Sequence, residues 1–243
     1  ELCRDRNVIF STRVSIDGVG EVHDEVRQVK RGFEKANETI RAMQELQKRV
    51  PFNFGVSATM FSKNVDDAEN ILAWARKESL DIVFNMVRFT DPMLGNSDLA
   101  TTCKPIGRDE ERMRDFFMDR VRTDSLLDGQ NYIYMHYADM IANGYHRLAP
   151  CPFQSQGIML NPDGGLFFCE NSDVVGNVLV TDAEELYFRA ASQAHRDEVR
   201  EKKCPTCLSP CQMNVSAVKQ VVPYVKCLAR AMNEKRKGAP SKD

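Results

Sequence analysis

Asn53-Phe54-Gly55-Val56-Ser57-Ala58-Thr59-Met60-Phe61 is an apolar run bounded by the polar Ser62-Lys63-Asn64, which predicts a strand. Its neighbours on both sides read as helices. Upstream, Phe33, Ala36, Ile40, Met43 and Leu46 recur at steps of three and four. That spacing predicts a helix from about Gly32 to Arg49, ended by Pro51. Downstream, Ala68, Ile71, Leu72 and Ala75 share one face between Val65 and Glu78. Asp66 and Asp67 sit in the first turn there, where the helix dipole favours them. Beyond the helices lie two more apolar runs. Asn7 to Ile16 carries Val8, Ile9, Thr12, Val14 and Ile16 and closes on Asp17-Gly18, and Asp81 to Phe89 carries Ile82, Val83, Phe84, Met86 and Val87. Strand, helix, strand, helix, strand with short loops implies parallel pairing, hence an α/β sheet or barrel.

The rest of the composition narrows the function. The 243 residues are 42% hydrophobic and 28% charged, with 33 Lys+Arg against 35 Asp+Glu and a formal charge of -2. A nucleic-acid partner is not expected, because such proteins usually carry a basic excess. No stretch supplies the roughly 18 apolar residues of a transmembrane helix, so no membrane partner is expected. The first residues, Glu1-Leu2-Cys3-Arg4-Asp5-Arg6, lack the apolar core and cleavage site of a signal peptide. A cytoplasmic location is the corresponding expectation.

After the third strand, Thr90 to Pro105 reads as loop, followed by helices over about Asp109–Arg122 and Asn131–Asn143. The character changes at Cys151. Gly157 to Leu160 and Leu166 to Cys169 are short apolar runs around Asn161-Pro162-Asp163-Gly164-Gly165, a hairpin signal. A helix from Asp182 to about Lys203 follows, and the tail from Asn233 is charged, rich in breakers and expected to fray.

Eight cysteines are the unusual feature. Cys3 and Cys103 stand alone and read as isolated thiols, while Cys151, Cys169, Cys204, Cys207, Cys211 and Cys227 crowd the carboxy-terminal part. In a long chain with no export signal, clustered cysteines point to metal more than to disulfides. Cys204-Pro205-Thr206-Cys207 lets two thiolates face one metal from a tight turn, with Cys211 four residues on. Cys151 and Cys169 flank the hairpin and can converge at its open end. Two plus two gives the four thiolates that zinc or an iron–sulfur cluster takes, and spacing alone leaves both open. Cys227 is either a core residue or a distal ligand. His23, His136, His146 and His195 are scattered singly, and their expected roles are structural or at the surface.

The stretch Cys151 to Cys169 with its Asn-Pro-Asp-Gly-Gly turn, then Gly176-Asn177, then Cys204-Pro-Thr-Cys207, resembles the auxiliary-cluster domain of radical S-adenosylmethionine (radical SAM) enzymes. That domain comes in a two-cluster SPASM form and a one-cluster twitch form. The amino-terminal half agrees: Val14-Ser15-Ile16-Asp17-Gly18, His23-Asp24 and Arg27 are similar to the fourth strand and following segment of the family's partial barrel. The resemblance spans roughly Asn7 to Cys211. It implies the carboxy-terminal half of a partial (β/α)6 TIM-like barrel in residues 1–128, a connecting helix and linker in 129–150, and a small α+β cysteine-rich domain in 151–232, with a frayed tail over 233–243.

The resemblance also implies roles. Cys151, Cys169, Cys204 and Cys207 would hold one 4Fe–4S cluster, with Cys211 as substitute. Six cysteines are too few for two clusters ligated wholly by thiolate, which favours the twitch form. Ser15 and Asp17 would touch the ribose of S-adenosylmethionine, and Arg27 would fork onto its carboxylate. The plain alternative is a turn at Asp17-Gly18 and a solvated Arg27. Some relatives with peptide substrates carry an acidic residue where Glu170 stands, which makes Glu170 a candidate general base; otherwise it is a surface glutamate. Partners implied are a small-molecule or peptide substrate and a reductant such as flavodoxin or ferredoxin. Two family features are missing: the CxxxCxxC that binds the S-adenosylmethionine-cleaving cluster, and the glycine-glycine-acidic motif of the second strand. The expectation is therefore the carboxy-terminal part of a longer oxidoreductase, inactive alone. The rival reading is a non-enzymatic binding module stabilised by zinc or a cluster.

Overall fold

Strand β2 (Asn53–Met60) lies between β1 (Ser11–Ser15) and β3 (Ile82–Met86) in a three-stranded parallel sheet. In the computed structural model, which describes residues 10–125, 128–147, 151–207 and 221–238, Val14 pairs with Val56, Ser57 with Val83, and Met60 with Met86. Val56, Ala58 and Met60 are buried on one face of β2, the alternation that a pleated strand requires. The α/β class holds. Contact density divides the chain into two units, one comprising residues up to Val87 with Cys103–Met113, the other Arg88–Thr102 with residues from Arg114 onward.

In the first unit, α1 (Glu21–Arg27) and α2 (Gly32–Gln47) follow β1, and α3 (Ala68–Lys77) follows β2. Ala68, Ile71, Leu72 and Ala75 are all buried, as their spacing predicts. Residues Val65–Asp67 form a tighter 3-10 turn where the α-helix was expected to begin. Asp67 is tied down there, accepting from the Val19 N–H at 2.6 Å and from Asn70 Nδ2 at 2.6 Å. On α2 the inward stripe stops short of Leu46, which is 43% exposed.

The expected loop over 90–105 contains two short helices, α4 (Asp91–Leu94) and α5 (Ala100–Cys103). Pro92 sits in the first turn of α4 and Gly95, at φ +59°, ends it. A proline there lacks only an N–H that the helix would leave unpaired, and glycine adopts the left-handed conformation without cost.

The second unit has a helical part and a hairpin part. Helix α6 (Arg108–Thr123) enters it at Arg114, and Phe117 packs on Tyr134 and Tyr137 of α7 (Gln130–Ala142), with ring centroids 5.5 and 5.0 Å apart. A long carboxy-terminal helix (Val221–Gly238) packs on α7 through Tyr224 against Tyr132 and through an Arg230–Asp139 ion pair of 2.6 Å. The predicted fraying from Asn233 is corrected up to Gly238. Lys235 Nζ donates to the Arg122 and Asp124 carbonyls, and Glu234 pairs with Arg122 at 3.2 Å.

Strands β4 (Met159–Leu160) and β5 (Gly165–Phe167) form the predicted hairpin, and β6 (Gly176–Asn177) adds a third antiparallel strand. Gly164 takes φ +83° in the turn. Leu166, Phe168, Val175 and Leu186 make its core. The helix expected over 182–203 is broken into α8 (Ala183–Phe188) and α9 (Ala190–Lys202). Arg189 is extended between them, and its guanidinium donates to the Val175 carbonyl and to Ser192 Oγ, at 2.8 Å for the latter. Those bonds hold the break against a helix-compatible sequence.

His136 on α7 is buried, with Nε2 lacking a hydrogen-bond partner among the described residues. Burial, aided by the Arg147 cation and opposed by Asp139, lowers its pKa from 6.5 to about 4. The folded chain thus binds fewer protons than the unfolded chain between those values. Stability from this site is complete above about pH 6.5 and declines as the pH falls toward 4. Urea titrations at pH 7 and pH 5 should differ by about 2 kcal/mol through this group. His136→Gln should flatten that difference, and a variant with an unchanged acid loss would assign it to other groups.

Candidate functional site

Cys151, Cys169, Cys204 and Cys207 line one cavity of about 30 Å³ in the second unit. Their backbones come from three places. Cys151 precedes a single 3-10 turn (Pro152–Gln154), Cys169 follows β5, and Cys204 and Cys207 bracket another 3-10 turn (Cys204–Thr206) after α9. None of the four is in a disulfide. Burial pushes the Cys169 thiol up to about 11, and Cys204 and Cys207 push it further in that direction against the Asn171 and Ser172 backbone N–H groups. Asn171 Nδ2 donates to Cys207 Sγ at 3.2 Å.

Cys227 does not join this cavity. It sits in the last helix with its sulfur 3.6 Å from Met135 Sδ, and burial raises its pKa to about 11. Cys103 belongs to the first unit. Cys211 and Cys3 lie outside the described residues. Among the described residues, no three His, Cys, Asp or Glu side chains come together as a single-ion site. A zinc ion would require four sulfurs at about 2.3 Å in a tetrahedron. The four lining cysteines are the residues that could hold a larger four-thiolate group.

Glu170 also lines the cavity and is only 5% exposed, so the surface-glutamate alternative is corrected. Its carboxylate pairs with Arg88, and its backbone carbonyl accepts from Thr90 Oγ1 at 3.2 Å. Sequence reasoning missed Arg88 and Thr90 because they are remote in sequence from the cysteine motifs. It also missed Arg147, Arg196 and Arg200, which line the cavity. Charged residues on a helix such as α9 read as a solvated face.

Ser15, Asp17 and Arg27 lie in the first unit, at and beyond the carboxy-terminal end of β1. Ser15 is exposed. Asp17 is 5% exposed, and both its carboxylate oxygens are engaged: Oδ1 accepts from the Thr59 N–H at 2.8 Å and Oδ2 pairs with Arg27 at 2.6 Å. The Asp17 N–H donates to His23 Nδ1 at 3.0 Å, and Asn64 Nδ2 donates to the Asp17 carbonyl at 2.9 Å. The Arg27 guanidinium therefore has an ion-pair partner, against the solvated-charge alternative. Gly18 is needed for the tight approach of α1, since a Cβ there would lie 2.6 Å from the His23 nitrogen.

A parallel β-α-β-α-β unit followed by a small antiparallel sheet makes this an α/β protein. A solved structure of native anSMEcpe with bound AdoMet and Kp18Cys peptide has a similar fold. It aligns at TM-score 0.50 and 13% identity over 96% of this chain and 71% of that one. Native anSMEcpe with bound AdoMet and Cp18Cys peptide aligns at TM-score 0.47 and 13% identity, over 96% and 72%. The likeness is one of fold. No protein-family profile and no curated protein sequence matches the chain.

Proposed function

We propose that this chain forms part of a radical SAM enzyme in which reductive cleavage of S-adenosylmethionine yields a 5′-deoxyadenosyl radical that abstracts a substrate hydrogen, with one auxiliary 4Fe–4S cluster for electron transfer or substrate anchoring. The observation carrying this reading is the convergence of Cys151, Cys169, Cys204 and Cys207 on one cavity, with none of the four in a disulfide. Soft thiolates in that number are the donor set such a cluster takes. The Asn171 amide supplies a hydrogen bond to one of these sulfurs.

The sequence holds no CxxxCxxC, so the reducing cluster is supplied by residues outside these 243, and this chain alone is inactive. Residues 1–128 act as the barrel portion, 129–150 as connection and 151–232 as the twitch-like domain. Ser15 and Asp17 take the ribose and Arg27 the methionine carboxylate. Arg27 is 42% exposed, which leaves part of its guanidinium fork open for a second carboxylate while Nη2 stays on Asp17. Glu170 serves as proton acceptor, held in orientation by Arg88. A peptide substrate suits this arrangement, as the peptide in the solved anSMEcpe structure supports, and flavodoxin or ferredoxin is the fitting reductant.

Anaerobic reconstitution with iron and sulfide tests the reading. About four irons and matching acid-labile sulfide per chain, with a brown chromophore, is the expected result. A colourless protein holding one tetrahedral zinc would overturn it in favour of a structural module.

A further inference from the structure

Arg196 is a buried cation with no carboxylate partner among the described residues. Its side chain runs from α9 into the wall of the cysteine-lined cavity and is 5% exposed. Nη1 donates to the Tyr187 hydroxyl at 2.6 Å and Nη2 to the Gly157 carbonyl at 2.6 Å, both neutral acceptors. The guanidinium carbon stands 4.3 Å from the Phe168 ring centre and 4.9 Å from that of Tyr187. Nε is buried with no hydrogen-bond partner, and no carboxylate pairs with Arg196 among the described residues. Three other charged groups stand in the cavity wall, and one of them, Arg147, is a second cation there, with Nη1 donating to the Cys207 carbonyl at 3.4 Å. Glu170 pairs with Arg88, and Arg200 pairs with Asp197 at 3.0 Å.

A charge taken out of water without an opposite charge is costly, and ring faces return only part of that cost. The cavity beside Arg196 is the one the four cysteines line. Four thiolates around an oxidised 4Fe–4S core leave a net charge of about -2, and one-electron reduction makes it about -3. We propose that Arg196 is the counter-charge for this anionic group and that it sets how readily the group is reduced. The inference rests on the four-cysteine reading above. A fixed cation next to the site favours the more negative, reduced state and so raises the reduction potential. Arg196 acts through the cluster's electrostatics and is a positioning and tuning residue.

The test reconstitutes the full chain and its Arg196→Met and Arg196→Lys variants, confirms folding by circular dichroism, and titrates each with dithionite as one-electron donor against potential. Iron and sulfide are counted first. Arg196→Met should shift the reduction equilibrium at least tenfold against the reduced state, about 59 mV to the negative for one electron. Arg196→Lys, which keeps the charge but loses the planar fork, should stay within a factor of about three of the unaltered chain. If Arg196→Met fails to load iron while Arg196→Lys loads fully, the charge requirement is supported by loading itself. Equal failure of both variants, or full loading of Arg196→Met at an unshifted potential, would assign Arg196 a purely structural role. An unaltered chain that takes up no iron would instead sink the four-cysteine reading.

Discussion

Anaerobic reconstitution of the Cys169→Ser chain with iron and sulfide is expected to leave well under about one iron per chain, against about four for the unaltered chain. Cys169 follows β5 and senses the charges of both Cys204 and Cys207. A serine at that point offers a hard hydroxyl that stays protonated where a soft thiolate is wanted. The same loss is expected from Cys151→Ser and Cys207→Ser, whose sulfurs line the same cavity. Cys227→Ser and Cys103→Ser should load fully. The first has its sulfur on Met135, and the second belongs to the other unit. Cys211→Ser should also load fully if the four lining cysteines suffice. Complete iron loss on replacing Cys227, with retention on replacing Cys169, would refute the ligand set.

The gathering of Cys151, Cys169, Cys204 and Cys207 on one cavity was legible because spacing constrains cysteines strongly. A CxxC fixes two sulfurs on one turn, and the Asn-Pro-Asp-Gly-Gly turn dictates that residues flanking the hairpin approach each other. What surrounds the cysteines was not legible. Arg196 becomes notable only once helix α9 lays it against Phe168, a contact between residues whose separation carries no periodic signal. Arg88 meets Glu170 from 82 positions away, and no local rule predicts such pairs.

The fold shows the same division. The parallel strands and helix α3 were readable, since an apolar period of 2 or 3.6 is enforced by burial on one face. The break at Arg189 was not, because nothing in Tyr187-Phe188-Arg189-Ala190-Ala191 disfavours a helix. The guanidinium bonds to Val175 and Ser192 override propensity there. The short helix α4 was hidden because Pro92 and Gly95 read as loop residues in sequence, although they serve there as a helix start and a helix stop.

Asp17→Ala is expected to destabilise the chain by about 2 kcal/mol, a cost that a residue reserved for ligand binding would not show. The Thr59 N–H would lose a charged acceptor, and such bonds contribute about 1.5–3 kcal/mol. The pair with Arg27 adds less, because Arg27 is 42% exposed and can turn its charge to water. Asp17→Asn keeps an acceptor for Thr59 and surrenders only the ion pair, so its loss should stay below about 1 kcal/mol. Urea unfolding monitored by circular dichroism reads both values, and equal midpoints for Asp17→Ala and the unaltered chain would show that the carboxylate holds nothing together. A measured cost in the expected order, Ala above Asn, would mean that Asp17 first fixes the end of β1 against β2. Any ribose contact it makes would then come from an orientation already set by Thr59 and Arg27. That preorganisation is what keeps a ligand-binding carboxylate from having to be ordered again at each binding event.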